Sequence, residues 1–512
     1  MLTVSIERGG IMGKKNGLGE FLDKNLVKKV NLGTVGRVLE KRMVKKSAKE
    51  LEGKSVPALP DGVFDKINAP VSDHFTVGFA KAEVMPDDVL KKNYYVAGYS
   101  AYNPAKNVLD PMTVSAVYID DNSGRGGVVF VSVDSVGLTN YDVNLARENL
   151  LHFTRDTGCR SINILSTHNH AGIDTVGMWG PLPISGRNPK FMDILHKGIV
   201  DVVTRAYENR RDGDIFYGRR ESEEIQRDSR LPHVFNKYLT RLRFVPSDGS
   251  REVWMLNYAS HTESMLGINT VSADFACYMR RKILEDAGAD SIYFVGAIGG
   301  LIRLKELDPD PVRSTIMGGE SLARTAVAIE DTKKLEPVIN ILRQEYYADA
   351  DNYLLANLCD LGVLKSCRVA TGKGTTGYAI KTEMTYFEMG SLNMLLLPSE
   401  LFPELAYGGY LSEEESAEGK SPSINPEPLV KTAGDEELLV FGVANDFTGY
   451  VVPPNDFLLN PASPYLDGVH DRLDRNHYEE TNSLGPNTAY FISDTFKGIM
   501  EKVNAAKKTK KK

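Results

Sequence analysis

Two histidines one residue apart, His168 and His170, follow directly after a short apolar run, Ser161–Ser166. The run predicts a buried strand, and catalytic side chains most often lie on loops at strand ends. In an extended chain, residues two apart point to the same side, which brings the two imidazoles together. The pair could bind one metal, or combine one metal ligand with one substrate contact, or only hydrogen-bond within a turn.

A third histidine, His261, is placed in the same way, three residues after the predicted strand Val253–Tyr258. Catalytic zinc sites use about three protein ligands and keep one position open for water. Bound zinc lowers the pKa of that water to about 7, which supplies hydroxide at neutral pH. The third histidine therefore favours a metal-dependent hydrolase.

Two more polar side chains follow apolar runs later in the chain. Glu400 comes after the run 391–397, and Tyr450 lies beyond the run 438–444. If the four strand ends converge on one rim, these side chains would join the histidines. Taken alone, the segment around Tyr450 favours an ordinary packed tyrosine.

The elements that must position these residues alternate between the two regular types. Short β-branched and aromatic runs predict strands, and longer runs with helical apolar spacing predict helices. The predicted strands are 74–81, 113–120, 127–135, 161–166, 238–244, 253–258, 291–295, 385–388 and 393–397, and the predicted helices are 140–157, 190–208 and 273–287. This alternation predicts a mixed α/β (α+β) fold, with one large catalytic domain over residues 74–500.

Charge is distributed unevenly along the 512 residues, whose net charge is −7. Residues 14–54 carry twelve Lys or Arg against five acidic residues, and the last six residues include five lysines, so the chain between them is strongly acidic. We predict a basic N-terminal extension with a proline-containing linker over 1–73 and a lysine-rich tail over 501–512. Gly33 and Gly36 argue against a continuous helix in the extension.

The composition also limits partners and compartment. A net negative chain is not expected to bind nucleic acid. It has no apolar run long enough to span a membrane and no signal peptide pattern, so we expect a cytoplasmic protein whose four cysteines are reduced. The basic ends could contact an anionic membrane surface peripherally. The oligomeric state is left open.

Eight blocks of this sequence resemble, in the same order, blocks of the neutral (non-lysosomal) ceramidase family of zinc-dependent amidases. They are VGFAKAEV (77–84), AGYSAYN (97–103), FVSVDSVGL (130–138), STHNHAG (166–172), ASHTES (259–264), LPSELF (397–402), ANDFTGYVVPPNDF (444–457) and HYEETNSLGP (477–486). The resemblance covers roughly residues 75–495, apart from a divergent middle between 301 and 385.

The resemblance implies a Zn²⁺ site made by four side chains. By the matching blocks, His168 and His261 would be the histidine ligands. Glu400 would be the acidic ligand, in a block where Ser399 replaces the family's glycine. Tyr450 would complete the set.

The same resemblance implies how the substrate carbonyl would be held. His170 would contact the scissile carbonyl or its developing oxyanion. Arg227 would assist it, with Arg230 as the alternative, and the backbone N–H of Gly98 would be a further oxyanion donor.

The resulting hypothesis is a zinc-dependent hydrolase of a linear amide, in which a metal-bound hydroxide attacks the carbonyl of an N-acyl small-molecule or lipid substrate. Alternatives are a metal-dependent esterase or phosphoesterase, and a non-catalytic protein that binds lipid or a partner on the same scaffold. Gly299–Gly300 lacks an acid that the family usually shows there, and we expect no C-terminal immunoglobulin-like domain. These departures point away from ceramide itself more than from hydrolysis.

Overall fold

Two β-sheets face each other across an apolar layer, and helices cover their outer sides. This architecture is seen in a computed structural model that describes residues 32–265 and 267–508. The first 31 residues of the predicted extension and residues 509–512 of the lysine-rich tail lie outside the described residues. The mixed α/β prediction for one large domain is confirmed.

Ten α-helices are present in the described ranges. They are α1 (Leu32–Leu51), α2 (Asn140–Asn149), α3 (Leu151–Thr157), α4 (Pro189–Glu208), α5 (Asp274–Ala287), α6 (Pro311–Val327), α7 (Tyr353–Asp360), α8 (Pro403–Tyr407), α9 (Leu429–Ala433) and α10 (Thr488–Lys508). Short 3₁₀ turns occupy Glu223–Ile225, Pro422–Ile424 and Glu479–Asn482. None of these helices is long and apolar enough to cross a lipid bilayer.

The strands of the described chain fall into two large sheets and several short pairs. They are β1 (Phe75–Glu83), β2 (Asn107–Val108), β3 (Thr113–Asp120), β4 (Val128–Val133), β5 (Ser161–Ser166), β6 (Arg211–Glu221), β7 (Gln226–Arg227), β8 (Tyr238–Pro246), β9 (Val253–Tyr258), β10 (Thr270–Val271), β11 (Asp290–Val295), β12 (Arg303–Leu304), β13 (Lys333–Lys334), β14 (Ile339–Asp349), β15 (Arg368–Ala370), β16 (Tyr378–Met389), β17 (Leu392–Leu396), β18 (Glu400–Leu401), β19 (Leu439–Phe441), β20 (Tyr450–Val451), β21 (Val469–His470) and β22 (Asn476–His477).

The larger sheet runs in the order β11-β9-β8-β6-β1-β3-β4-β5, with β13 added beside β6. The outermost pairs, β11 with β9 and β4 with β5, are parallel, and the pairs between them are antiparallel. Although β11 and β5 are at opposite ends of the strand order, β11 also contacts β3, β4 and β5. The sheet must therefore be strongly curved. The Ser132 hydroxyl on β4 donates a 2.6 Å hydrogen bond to the Tyr293 carbonyl on β11. This curvature brings the ends of β5 and β9 to the same region.

The smaller sheet runs β14-β16-β17-β19, with β15 paired to β16. Its inner face packs against the larger sheet through aromatic rings. Phe130 of β4 and Phe387 of β16 have ring centroids 5.3 Å apart, and Phe294 of β11 and Phe441 of β19 are 5.6 Å apart. Strands buried on both faces explain why β4 and β17 read as continuous apolar runs rather than as alternating ones.

Helix α4 covers the outer face of the larger sheet, against β1 and β3, and α10 covers the smaller sheet, against β14. The start of α4 is fixed locally. Asn188 caps it by accepting hydrogen bonds from the backbone of Lys190 and Phe191, and Pro189 occupies the first turn. One apolar face of α4 is then buried along its length, from Phe191 to Ala206.

The prediction that Gly33 and Gly36 would interrupt the basic segment is wrong, because Leu32–Leu51 forms one helix, α1. Both glycines are buried against the rest of the protein. A Cβ on Gly36 would lie 2.4 Å from the Tyr353 hydroxyl oxygen, so glycine allows α1 to approach α7 closely. Packing against α7 therefore outweighs the low helix propensity of glycine.

A buried ion pair joins the outer helices to the larger sheet. Arg280 of α5 donates to both carboxylate oxygens of Asp134, at 3.0 and 2.7 Å, and neither side chain is more than 4% exposed. Asp134 also accepts hydrogen bonds from the backbone and hydroxyl of Thr113 on β3. The pair thus ties α5 to β3 and to the loop after β4.

We expect Arg280→Ala to lower the free energy of unfolding by about 3–5 kcal/mol, because it leaves the Asp134 carboxylate buried without its cation. Denaturant unfolding followed by circular dichroism measures this. The matched control is Arg281→Ala on the same helix. Arg281 is 55% exposed in its ion pair with Asp110, so Arg281→Ala should lower the free energy of unfolding by about 1 kcal/mol or less. Equal losses in the two variants would contradict the prediction.

Candidate metal centre and active site

The four predicted metal ligands lie together in the interior. His168 Nε2 is 3.1 Å from the Glu400 Oε2 atom, and His261 Nε2 is 3.2 Å from the same oxygen. The Tyr450 hydroxyl is 3.3 Å from His261 Nε2. All four side chains are buried, so the sequence blocks that carry them converge on one enclosed point.

A bend in the backbone brings His168 and His170 together. Strand β5 ends at Ser166, and His168 has a φ of +54°, in the left-handed region that non-glycine residues seldom adopt. The extended backbone predicted at this point is therefore wrong, whereas the predicted proximity of the two imidazoles is confirmed, with their Nε2 atoms 3.0 Å apart. Backbone strain of this kind concentrates at functional sites.

Backbone carbonyls hold the two predicted histidine ligands in one orientation. His168 Nδ1 lies 2.7 Å from the Val136 carbonyl oxygen, and His261 Nδ1 lies 2.9 Å from the Ile302 carbonyl oxygen. A carbonyl can only accept, so each Nδ1 carries a proton and each Nε2 is directed at the Glu400 carboxylate. Metal-binding histidines are usually oriented in this way.

The other two predicted ligands are fixed by pairing of their own backbones. Strands β18 and β20 form a parallel pair in which Glu400 is the partner of Tyr450. The Glu400 N–H also donates to the Gly449 carbonyl at 3.0 Å. The carboxylate and the phenol are thereby placed side by side, although fifty residues separate them along the chain.

The spacing of the donor atoms fits a zinc ion. Zinc bonds to nitrogen and oxygen of about 2.0–2.1 Å place neighbouring ligand atoms of a tetrahedron about 3.3 Å apart. The contacts of His168 and His261 with Glu400, and of His261 with Tyr450, are 3.1, 3.2 and 3.3 Å. The three buried histidines 168, 170 and 261 also form a group that could bind a metal ion by themselves.

The charges of the cluster are set by burial and by close neighbours. Burial alone would raise the pKa of Glu400, but hydrogen bonds and charge from His168 and His261 outweigh it and hold the pKa well below its usual value. Burial raises the pKa of Tyr450 well above its usual value, and the Glu400 charge adds to this. A phenolate ligand at position 450 would thus need the charge of a bound cation.

His170 is the third histidine of the cluster, with Nε2 3.0 Å from His168 Nε2. Burial lowers the pKa of His170 well below its usual value, with a further contribution from His168 and His261, which favours the neutral imidazole. Tyr99 packs edge-on against the ring, with centroids 5.5 Å apart.

Gly98 is in direct contact with His170. A Cβ at position 98 would lie 2.6 Å from the His170 ring, and φ is +105°, so only glycine fits here. Within residues 32–265 and 267–508, no protein acceptor takes the Gly98 backbone N–H. That donor is therefore available next to the imidazole.

Two charged residues behind His170 were not predicted from the sequence. Glu263 is buried, with Oε2 3.7 Å from His170 Nδ1, and its Oε1 is 3.7 Å from Arg303 Nε. Burial raises the pKa of Glu263, and the charges of His261 and Arg303 partly offset this. The sequence could have indicated Glu263, because it lies only two residues after the predicted ligand His261. Nothing in the sequence around Arg303 marks it.

The two candidate arginines have different surroundings. Arg227 is exposed on β7, where its backbone pairs with Arg303 of β12. Arg230 forms an ion pair with Glu479, and its guanidinium carbon lies 5.1 Å from the centre of the Tyr478 ring. The Tyr478 ring in turn contacts Tyr450 edge-on, so Arg230 is the arginine connected to the cluster.

An apolar pocket begins next to the metal-site residues. Phe447, Thr448 and Gly449 form one part of its wall, directly before Tyr450. The Phe447 ring centroid is 5.8 Å from that of His168. Further wall residues are mostly apolar, and the pocket contains about 570 Å³ of empty space, part of it open to solvent. The remaining wall residues are Thr139, Val176, Met178, Ala350, Leu355, Ala356, Cys359, Leu364, Ser366, Ile380, Asn482 and Leu484.

A second, smaller pocket has charged walls and is lined by Phe402. The ring centroids of Phe402 and Tyr450 are 6.3 Å apart. Its wall includes Arg230, His477 and Glu480. Burial opposes the charged form of His477, but a 2.8 Å contact with the Glu480 carboxylate outweighs it and raises the pKa of His477 to about 9.

Solved structures resemble this arrangement of elements. The crystal structure of neutral ceramidase from Pseudomonas aeruginosa aligns with a TM-score of 0.63 and 15% identity, over 84% of this chain and 75% of that chain. A ceramidase complexed with C2 aligns with a TM-score of 0.61 and 14% identity, over 84% and 76%. The fold is ceramidase-like. No protein-family model and no curated protein sequence matches the chain.

The protonated His477 should make stability depend on pH. Because the folded pKa of about 9 is above the unfolded value of about 6.5, the contribution is complete below pH 6.5 and is lost as pH rises through 9. We expect stability to fall by roughly 1–3 kcal/mol over this range, and His477→Gln to remove that part of the slope. Denaturant unfolding at several pH values measures it. His152→Gln, at an exposed histidine, is the control, and an unchanged slope in His477→Gln would contradict the assignment.

Proposed function

We propose that the protein is a zinc-dependent hydrolase that cleaves a linear amide bond of an N-acyl substrate. The observation that carries this proposal is the enclosed convergence of His168, His261, Glu400 and Tyr450, among which three donor-atom contacts of 3.1–3.3 Å match the spacing of neighbouring ligands on one zinc ion. The ceramidase-like fold supports an amide hydrolase, since the solved structures it resembles are ceramidases.

The four ligands would hold the ion through two imidazoles, one carboxylate and one phenol oxygen. Zinc bound here would supply a nucleophile from water at neutral pH and polarise a carbonyl. The Val136 and Ile302 carbonyls orient both imidazoles so that Nε2 faces the position that the ion would occupy. The enclosed site excludes bulk water, which strengthens each electrostatic interaction inside it.

His170 and Gly98 would bind the substrate carbonyl oxygen as negative charge develops on it. Gly98 touches the Nδ1 side of the His170 ring, and its backbone N–H donates to no protein acceptor in the described chain. Hydrogen-bond donors fixed in this way stabilise an oxyanion without reorganisation. In the neutral imidazole, Nε2 would carry the proton that the oxyanion accepts and Nδ1 would be unprotonated; Nδ1 has no hydrogen-bond partner in the described chain, and the Glu263 carboxylate lies 3.7 Å from it.

Of the two arginines considered, we assign the assisting role to Arg230 rather than to the exposed Arg227. Arg230 is held by Glu479 and stacks over Tyr478, beside Tyr450. In the charged pocket it would meet the polar part of a substrate.

The two pockets support the choice of an amide with unlike halves. The apolar pocket ends at Phe447, which contacts His168, and suits an acyl chain. The charged pocket on the Phe402 side of Tyr450 suits a polar amine portion. A bond cleaved at the cluster would then join an apolar acyl group to a polar amine.

We expect the purified protein to bind about one equivalent of zinc. His168→Ala and His261→Ala should each weaken zinc binding by more than about 100-fold, because loss of a supporting partner alone costs about 10–100-fold. Equilibrium titration with a fluorescent zinc chelator measures this. His170→Ala should keep the zinc, and the exposed His152→Ala is the control.

Two results would contradict this metal assignment. The first is a wild-type protein that binds less than about half an equivalent of zinc, with the same amount in His168→Ala and His261→Ala. This result would show that these residues form no zinc site. Loss of zinc in His170→Ala equal to that in His168→Ala would show that three histidines bind the ion, and would remove the oxyanion role of His170.

We expect turnover of N-acyl amides from a panel that also contains esters and phosphoesters. His170→Ala should lower kcat by about 10²–10³-fold while zinc is retained, as expected for loss of an oxyanion donor. Leu364→Trp should fill the apolar pocket and lower activity on long-chain amides but not on N-acetyl ones. The control is Leu284→Trp at an exposed site on α5. Faster cleavage of esters or phosphoesters than of amides would favour those alternatives instead.

A further inference from the structure

Three lysines on α1 form a stripe that faces solvent. Lys41, Lys45 and Lys49 are spaced by four residues and are all exposed. No carboxylate of the described chain forms an ion pair with any of them. We call these three residues the basic stripe. Their charges are therefore available to an external partner.

The position of the basic stripe relative to α7 follows from helix geometry. Arg42 and Lys46 both form ion pairs with Asp360, the last residue of α7. Lys45 and Lys49 each lie three residues further along, which is about 60° around the helix from those contacts. The stripe therefore borders the edge of α1 that meets the end of α7.

The apolar pocket opens at the same edge. Four wall residues are only partly buried, and the other wall residues are buried. The four are Leu355, Cys359, Leu364 and Ser366, all from α7 or the connection that follows it. We call these four residues the pocket mouth. A molecule leaving the pocket would pass beside α1.

Exposed apolar side chains accompany the lysines at this edge. Leu361, between the end of α7 and Leu364, is 54% exposed. Val38, one turn before Lys41 on α1, is 62% exposed. Lysines beside exposed apolar residues are typical of surfaces that lie at the interface of an anionic membrane.

We propose that the basic stripe, with Val38 and Leu361, docks the protein on an anionic lipid bilayer so that the pocket mouth faces the membrane. The lysine ammonium groups would contact anionic headgroups, and the two apolar side chains would enter the headgroup region. A bilayer accounts for all three features together, whereas a nucleic acid would use only the charges. Docking itself does not depend on hydrolysis.

Co-sedimentation of the full chain with phosphatidylcholine vesicles, with and without phosphatidylserine, tests the proposal. We expect binding only to the anionic vesicles, weakened by salt. Lys41→Glu/Lys45→Glu/Lys49→Glu should lower the partition coefficient at least about tenfold, because each lysine near such a surface contributes substantially to binding. Leu361→Asp should lower it several-fold.

Matched control variants separate this surface from net charge. The charge control is the triple variant Lys190→Glu/Lys197→Glu/Arg210→Glu, which changes the net charge by the same amount. Its three residues are exposed and lie on α4, the helix that covers the larger sheet, or just after it. Leu151→Asp matches Leu361→Asp at a residue that is 63% exposed on α3. Both should bind vesicles like the wild type. Equal loss in stripe and control variants would overturn the proposal.

Further measurements distinguish membrane docking from the proposed hydrolysis and from binding of other partners. His168→Ala should bind vesicles like the wild type, so failure of the proposed hydrolysis leaves the docking result intact. Wild-type binding that is equal for neutral and anionic vesicles would overturn the proposal. So would binding to single-stranded RNA without binding to vesicles.

Discussion

The segment Gly442–Asn445 connects strand ends on which the candidate metal site depends. The Gly442 N–H donates to the Val295 carbonyl at the end of β11, and the Ser166 N–H at the end of β5 donates to the Val443 carbonyl. A third bond runs from the Val443 N–H to the Ser399 carbonyl, next to Glu400. One short segment thus links the strand ends before His168 and Glu400 to the end of β11, which pairs with β9, the strand before His261, and the chain then continues to Tyr450.

This arrangement needs unusual backbone geometry. A Cβ on Gly442 would lie 2.5 Å from the Gly296 carbonyl oxygen, so the segment could not approach β11 with a larger residue. Val443 and Asn445 have φ values of +50° and +60°. The Asn445 side chain accepts a hydrogen bond from the Ile164 N–H on β5. These bonds offset the cost of the positive φ angles and hold the segment between the two sheets.

Enclosure has chemical consequences for the whole site. Glu400 stays ionised in the interior because His168 and His261 lie beside it, and Tyr450 stays protonated unless a cation compensates its charge. The cluster is thus prepared for a positively charged occupant. The apolar pocket extends from Phe447, next to His168, to the partly buried residues of the pocket mouth.

Local patterns in the sequence predicted much of the fold and identified most of the candidate site residues. Runs rich in β-branched and aromatic residues predicted most of the longer strands, because these side chains favour the extended chain, but the sequence did not predict β6 or β14, which carry several charged residues. The ordered blocks around His168, His261, Glu400 and Tyr450 identified side chains that the structure brings within 3.1–3.3 Å contacts. Their convergence was an inference from resemblance.

Only the tertiary structure decided the features that arise from contacts between distant segments. The left-handed φ at His168 depends on neighbours outside its own strand, so the period-two argument could not foresee it. Glu263 and Arg303 matter because folding places them behind His170, and Arg230 rather than Arg227 reaches Tyr478. Gly36 likewise reads as a helix breaker until Tyr353 is packed against it. Residue types are local, but burial and proximity are properties of the folded chain.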